Sequence, residues 1–257
     1  MAALHYPKAA LVTGAGKRIG RAIALSLARA GWAVAVHYRQ SRQEAEDVVR
    51  EIIAAGGRAA AIRADFLREE ETEALVPQVA AALGPLGCLV NSASVFENDA
   101  ALTVTRESWE RHLATNLQAP FVLMQAFARQ LPAEADGAII NLLDERVSNL
   151  TPHFVSYTVS KAGLWTLTQT MALALAPRIR VNGIGPGPAL PSPRQSEAQF
   201  RRQQQIMPLR RGTTPEEIAA AVQFILSAPA MTGQMIALDG GQHLGWAQPD
   251  DRSPPDE

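Results

Sequence analysis

Thr13-Gly14-Ala15-Gly16-Lys17-Arg18-Ile19-Gly20 follows the apolar run 9–13 and opens a helical pattern at 18–30. Glycines at such a junction let the backbone turn tightly and approach a pyrophosphate, whose charge is favoured by the free N–H groups of the helix. A glycine cluster alone decides little, but one set between an N-terminal strand and a helix indicates a dinucleotide site. Outward from it, β-rich runs at 33–37, 59–63, 88–90, 138–142, 180–184 and 235–238 alternate with helical patterns at 41–55, 69–83, 106–131, 154–176 and 215–227. This is the βαβ rhythm of a parallel sheet covered on both faces. The expectation is an α/β fold: one doubly wound domain over residues 1–246, with its ligand at the carboxyl ends of the strands.

The totals agree with that class. A chain of 257 residues is long enough to bury a large core and a cleft, and 47% hydrophobic with 19% charged residues is ordinary for a globular enzyme. A formal net charge of -1 gives no reason to expect nucleic acid or an anionic membrane as partner. Cys88, the single cysteine, lies in an apolar run and reads as a buried strand residue rather than a disulfide or metal ligand. His37, His112, His153 and His243 show no metal-ligand spacing, so no metal is expected. The first eight residues lack a signal-peptide pattern, and no apolar run approaches a membrane span, which makes a cytoplasmic location the expectation. Two segments depart from the rhythm. Residues 185–207 carry Pro186, Pro188, Pro191 and Pro193 before an Arg- and Gln-rich stretch, and read as a substrate lid. Residues 247–257, rich in proline and acids, read as a disordered tail.

The end of the second strand selects the dinucleotide. An acid there would hydrogen-bond a ribose 2′-hydroxyl; the sequence reads His37-Tyr38-Arg39-Gln40-Ser41-Arg42 instead. Arg39, with Arg18 from the glycine loop, suits a 2′-phosphate, which indicates NADPH; the plainer reading is that Arg39 and Arg42 solvate a turn. Further along, Tyr157-Thr158-Val159-Ser160-Lys161 puts a phenol and an ammonium one helical turn apart on one face. A cation beside a phenol lowers its pKa from about 10 and makes it a usable proton donor. Only Lys8, Lys17 and Lys161 are lysines among 24 basic residues, so a lysine at 161 suggests a need for a compact ammonium. Ser156 and Ser160 flank the tyrosine, but no histidine is placed in the sequence to activate either.

The glycine-rich opening, Asn91-Ser92-Ala93-Ser94, Asn116, the Tyr157/Lys161 pair and Pro186-Gly187 together resemble the short-chain dehydrogenase/reductase family over about residues 8–245. The resemblance implies a Rossmann-type sheet of seven strands with NADP(H) held by these motifs. It also implies a tyrosine–lysine proton relay supported by Asn116 through water, Asp65 beside the adenine, Lys161 on the nicotinamide ribose, and a homotetramer. Trp165 and the run 171–175 lie on a helix apolar almost all round, which fits a subunit interface.

Three positions narrow the resemblance. Arg18 stands where the family commonly has glycine, Ser92 and Ser94 alter the usual Asn-Asn-Ala-Gly, and Asp144 replaces the serine thirteen residues before the tyrosine. All three are similar to the pteridine reductase branch. There Phe96 would sandwich a pterin against the nicotinamide, with Arg18 and Ser94 nearby; the branch's second serine is Val95 here. An aspartic acid can exchange a proton with a ring nitrogen, and burial would favour its protonated form unless Arg146 or Arg18 offsets the desolvation. Taken alone, Asp144 could equally be a helix cap and Phe96 a packing aromatic. The implied activity is NADPH-dependent reduction of a pterin C=N bond, on a dihydrobiopterin-, dihydromonapterin- or dihydrofolate-like substrate, with Tyr157 coupled to Asp144 and Lys161 as proton source. A generic carbonyl reductase is the first alternative, disfavoured by Arg18 and Asp144. A non-catalytic NADP(H)-sensing protein is the second, disfavoured by the intact Asn116, Tyr157 and Lys161.

Overall fold

The computed structural model describes residues 4–192 and 194–245. The tail expected at 247–257 therefore lies outside the described residues. Seven strands alternate with helices: β1 Ala9–Val12, α1 Arg18–Arg29, β2 Ala33–Tyr38, α2 Arg42–Ala54, β3 Ala59–Arg63, α3 Glu69–Leu83, β4 Leu86–Asn91, α4 Arg106–Leu113, α5 Ala119–Gln130, β5 Gly137–Leu142, α6 Val155–Leu175, β6 Ile179–Pro186, α7 Glu197–Gln205, α8 Pro215–Ser227 and β7 Met235–Leu238. The strands form one sheet in the order β3-β2-β1-β4-β5-β6-β7, every neighbouring pair parallel. This is the α/β, doubly wound, seven-stranded arrangement that the alternating pattern implies. Its switch point lies between β1 and β4, where the crossovers diverge and leave a crevice at the carboxyl ends.

Strand periodicity divides the core into two layers. Ala10, Val12, Val34, Val36, Val90 and Ile140 face α1, α2 and α8, meeting Ile23, Ile52 and Val222. Leu11, Ala35, Leu89 and Ile139 face α3, α5 and α6, meeting Val79, Phe127 and Met171. Side chains of successive residues leave a strand on opposite faces, so a continuous apolar run serves both layers at once. Cys88 lies in the first layer, and burial pushes its thiol up to about 12. Among the described residues no helix is long and apolar enough to cross a membrane.

Two elements differ from the sequence expectation. The single helical pattern at 106–131 is split: α4 and α5 are separated by a π-helical turn, Ala114–Gln118. Pro120 has no N–H to offer the Asn116 carbonyl, so the regular ladder cannot run through and the chain widens just before it. The 185–207 segment contains α7, begun by a capping box in which Ser196 and Gln199 satisfy each other's backbone N–H groups.

Thr13, directly after β1, holds the switch point together. Its hydroxyl oxygen accepts the N–H groups of both Ser92 and Ala93 at 2.9 Å, on the loop that leaves β4, and donates to the Val90 carbonyl at 3.4 Å. We predict that Thr13→Val strands these two N–H groups and lowers the unfolding free energy by about 2–4 kcal/mol. Urea titration checks this; an unchanged midpoint would mean that other acceptors serve them.

Candidate active site

The glycine turn is tight for stated steric reasons. Gly14 has φ +64°, and a Cβ there would meet the Ala93 backbone at 3.0 Å; a Cβ on Gly20 would meet the Gly14 carbonyl at 2.4 Å. α1 is thus pressed onto the turn with its first N–H groups open: it has no side-chain cap and no acid in its first turn. His37 supports the turn from beneath. It is buried, its Nδ1 accepts the Gly14 N–H at 3.1 Å, its Nε2 donates to the Ala64 carbonyl at 3.1 Å, and its ring stacks on Phe66. Burial, against the weaker pull of Ala64 and Asp65, lowers its pKa to about 4.

A side cavity of about 230 Å³ opens beside the turn, lined by Gly14, Gly16, Lys17, His37, Tyr38, Arg39 and Ser41 among others. Arg39 is half-buried there and has no hydrogen-bond or ion-pair partner among the described residues, whereas the Lys17 ammonium rests on Glu44 at 2.6 Å. Arg18 lies elsewhere. Its backbone is left-handed, φ +54°, and its guanidinium donates to the carbonyls of Pro191 and Leu190 at 2.9 and 3.3 Å, fastening the 185–207 segment over the main cleft. Arg18 and Arg39 both line the main cleft, and only Arg39 also lines the side cavity.

The main cleft, about 630 Å³, is lined from the turn by Ile19, Ser92 and Ala93, and opposite by Pro186 and Gly187. A Cβ at Gly187 would meet Asp239 at 2.7 Å, so the chain there admits glycine alone. Two members of the expected cofactor set line neither cavity. Asp65 turns back to accept the Leu67 N–H at 3.1 Å, and Ala64 and Phe66 form that wall instead. Asn91 is buried between strands, donating to Asn141 at 2.8 Å, which in turn donates to Thr168.

At the other end of the cleft, the Tyr157 hydroxyl donates to Asp144 Oδ2 at 2.7 Å. Burial first, and then the adjacent Asp144 carboxylate, push the tyrosine well above its usual value. That reverses the direction expected from Lys161, whose ammonium donates to the Leu142 carbonyl at 2.7 Å and lies 5.7 Å from the tyrosine ring centre. Burial lowers Lys161 to about 8, with Asp144 opposing. Asp144 does two jobs at once: its Oδ1 caps the short turn Glu145–Val147 by accepting the Arg146 N–H at 2.9 Å, and pairs with the Arg146 guanidinium at 3.3 Å. Arg146 is thus the cation that faces this carboxylate.

Phe96 lines the cleft with one face stacked on Phe154 at 4.6 Å and Tyr157 edge-on at 4.7 Å. Ser94 and Val95 also line it. The Asn116 side chain does not: it accepts from Val95 N–H and Ser94 and donates to the Val95 carbonyl and Ser160, tying the loop after β4 to α6. Sequence reasoning missed Arg194, which donates to Glu97 at 2.6 Å and to the Phe96 carbonyl at 2.8 Å. No periodic signal marks a lone arginine in an irregular segment. The structural role read for His112 gains a partner that the sequence does not show: its Nδ1 lies 2.8 Å from Ser156 Oγ although 44 residues separate them.

A family model described as enoyl-(acyl carrier protein) reductase matches residues 14–243. The chain is a short-chain dehydrogenase/reductase. It is 35% identical over 242 residues to the 3-oxoacyl-(acyl-carrier-protein) reductase of Staphylococcus epidermidis, covering 92% of this chain and 99% of that one. Among solved structures it is similar to alternative dihydrofolate reductase 1 from Brucella suis in complex with NADP, with 44% identity, a TM-score of 0.90, and coverage of 94% and 97%. The Brucella canis counterpart, complexed with NADP, gives 43%, 0.92, and 97% and 99%.

In this short-chain dehydrogenase/reductase the acid-sensitive point of the cofactor turn is His37. Its native pKa lies below the unfolded value, so its stabilisation is complete above pH 6.5 and is lost as pH falls through about 4. We predict a loss of about 3 kcal/mol over that window, measured as pH-dependent urea unfolding, with His37→Gln removing the slope. An equal slope in the variant would assign the loss to other groups.

Proposed function

We propose that this chain is an NADPH-dependent reductase of a pterin C=N bond, acting on a dihydrobiopterin-, dihydromonapterin- or dihydrofolate-like substrate. The observation that carries the proposal is the 2.7 Å hydrogen bond from Tyr157 to Asp144. Carbonyl reduction builds negative charge on the substrate oxygen beside the tyrosine, and a carboxylate at this spot would repel it. Both reductions end with a proton on the heteroatom, but a ring nitrogen is basic enough to take its proton before the hydride arrives, and a carboxylate beside it then faces a cation. The 43–44% identity to the two Brucella reductases supports the same reading.

The residues present fit the cofactor. The glycine turn admits no Cβ at Gly14 or Gly20, and beside it Arg39 holds a guanidinium with no partner among the described residues, suited to a 2′-phosphate. Bound there, NADPH supplies the hydride. The chain's own part is the proton. A proton taken up from solvent would be held on the Asp144–Tyr157 pair; Tyr157 would give its phenolic proton to the ring nitrogen and be refilled from Asp144, which returns the pair to the phenol and carboxylate described above. Arg146, at 3.3 Å, then holds the carboxylate charge left behind. Lys161 remains an ammonium below about pH 8 and adds a second positive charge to that end of the cleft. Phe96 offers a flat apolar surface next to Tyr157, on which a bicyclic heterocycle can be oriented.

The second reading is reduction of a 3-oxoacyl carbonyl, favoured by the Staphylococcus relatives at 35–36% identity. NADPH consumption at 340 nm decides between them, with dihydrobiopterin, dihydromonapterin, dihydrofolate and an acetoacetyl thioester as substrates. A preference for the thioester would remove the pterin reading. We predict that Asp144→Ser lowers pterin turnover by about 10²–10⁴-fold while leaving NADPH affinity unchanged. We also predict that Arg39→Ala weakens NADPH binding by about 10–100-fold and NADH binding hardly at all. Equal losses for both nucleotides would remove Arg39 from the 2′-phosphate. The same reading includes a homotetramer; Leu173 of α6, 84% exposed, and Val159 supply apolar surface for it, and light scattering tests the assembly.

A further inference from the structure

Beneath Tyr157 lies a buried polar cluster that the proton transfer does not use. It consists of Asp99 from the loop after β4, His112 from the last turn of α4 and Ser156 from the first turn of α6, all buried. Ser156 donates its hydroxyl to Asp99 Oδ2, which also accepts from Ser108 at 2.9 Å, and Asp99 Oδ1 accepts the Ser156 N–H at 3.1 Å. His112 Nδ1 lies 2.8 Å from both Ser156 Oγ and the Ser108 carbonyl, while its Nε2 accepts the Glu97 N–H at 3.1 Å. Only the Nδ1–H tautomer satisfies all three contacts.

The three residue types are those of a hydrolytic triad, but the wiring is not. The carboxylate bonds the serine and not the histidine, Nε2 is already taken by a backbone N–H, and none of the three lines the cleft. What the cluster does hold is position. α6 begins at Phe154, a left-handed residue with φ +56° and no side-chain cap, and Asp99 substitutes for the cap from 57 residues away: its carbonyl takes the Phe154 N–H and its carboxylate the Ser156 N–H. Tyr157 follows directly. On the other side, His112 fixes Glu97, and with it Phe96, whose ring stacks on Phe154 and abuts Tyr157.

We propose that Asp99, Ser156 and His112 are positioning residues for the reaction, joining Phe96 and Tyr157 into one rigid unit that sets the geometry of the substrate slot. The proposal rests on reading those two rings as the substrate-contacting surfaces. The carboxylate is suited to the task because the hydrogen bonds from Ser156 and Ser108, acting against the desolvation that would raise it, hold Asp99 below the usual carboxylate range. A ring displaced by about 1 Å loses about 10²-fold in turnover even when the chemistry is intact.

The test uses His112→Leu, His112→Gln and Ser156→Ala in the full chain, with kcat and KM measured for dihydrobiopterin and for an acetoacetyl thioester, and NADPH affinity measured separately by fluorescence. Expected are a KM for the reduced substrate raised about tenfold or more in His112→Leu and Ser156→Ala, a lowered kcat, and NADPH affinity within about twofold of wild type. His112→Gln, whose Oε1 can take the place of Nε2 towards Glu97, should recover most of the KM loss. Unchanged constants in both disruptive variants, loss of NADPH affinity in parallel, or no recovery in His112→Gln would overturn the proposal. Should His112→Leu fail to fold, Ser156→Ala decides by the same criteria. A wild-type enzyme that reduces only the thioester would overturn the pterin reading instead, and the shifts measured with that substrate would still decide the positioning role.

Discussion

The divergence of the chain at the ends of β1 and β4 is the constraint from which the site follows. Parallel strands with crossovers on both faces must leave a crevice where the winding reverses, and here Thr13 bridges it with one hydroxyl and two backbone N–H groups. Everything functional hangs from that junction. The glycine turn leaves β1, the Ser94–Phe96 loop leaves β4, and β5 and β6 deliver Asp144 and Gly187 to the same rim. Because β1, β4, β5 and β6 are buried on both faces, their ends cannot shift independently, so the cleft inherits the rigidity of the sheet.

Within this frame, charge is distributed unevenly along the cleft. At the turn the groups offered to a ligand are N–H donors and the Arg39 guanidinium, with His37 kept neutral by burial beneath them. At the opposite end Asp144 stands between a phenol and a guanidinium, with Lys161 behind. The first end suits an anion and the second a group that exchanges protons. The lysine does not act on the tyrosine as a bare pair of charges would suggest: it donates to the Leu142 carbonyl, while burial first and then the nearer carboxylate raise the phenol.

What was legible in the sequence follows from the range of the interactions. The βαβ order, the glycine turn, the Tyr157/Lys161 face and the exceptional residue at 144 are local patterns, each visible within a few positions. Cys88 was readable as core for the same reason. The capping box of α7 was equally local, Ser196 and Gln199, but lay hidden among prolines and arginines that suggested an irregular lid throughout. Other features depend on contacts between distant segments. His112 meets Ser156 and Asp99 caps α6 across 44 and 57 residues, and no spacing rule reports such meetings. Arg18 shows a third kind of limit: its type was noticed, but its left-handed backbone turns the side chain towards Leu190 and Pro191, and a dihedral angle is not written in the residue name.

The two arginines that fasten the 185–207 segment grip backbone oxygens: Arg18 those of Leu190 and Pro191, and Arg194 that of Phe96. A main-chain carbonyl is present whatever side chain the position bears. The Arg18 clasp is therefore indifferent to the identity of the residues it grips, whereas that of Arg194 also relies on the Glu97 carboxylate. A change at Leu190, which lines the cleft, would reshape that wall while the Arg18 clasp and the Asp144–Tyr157 end stayed as they are.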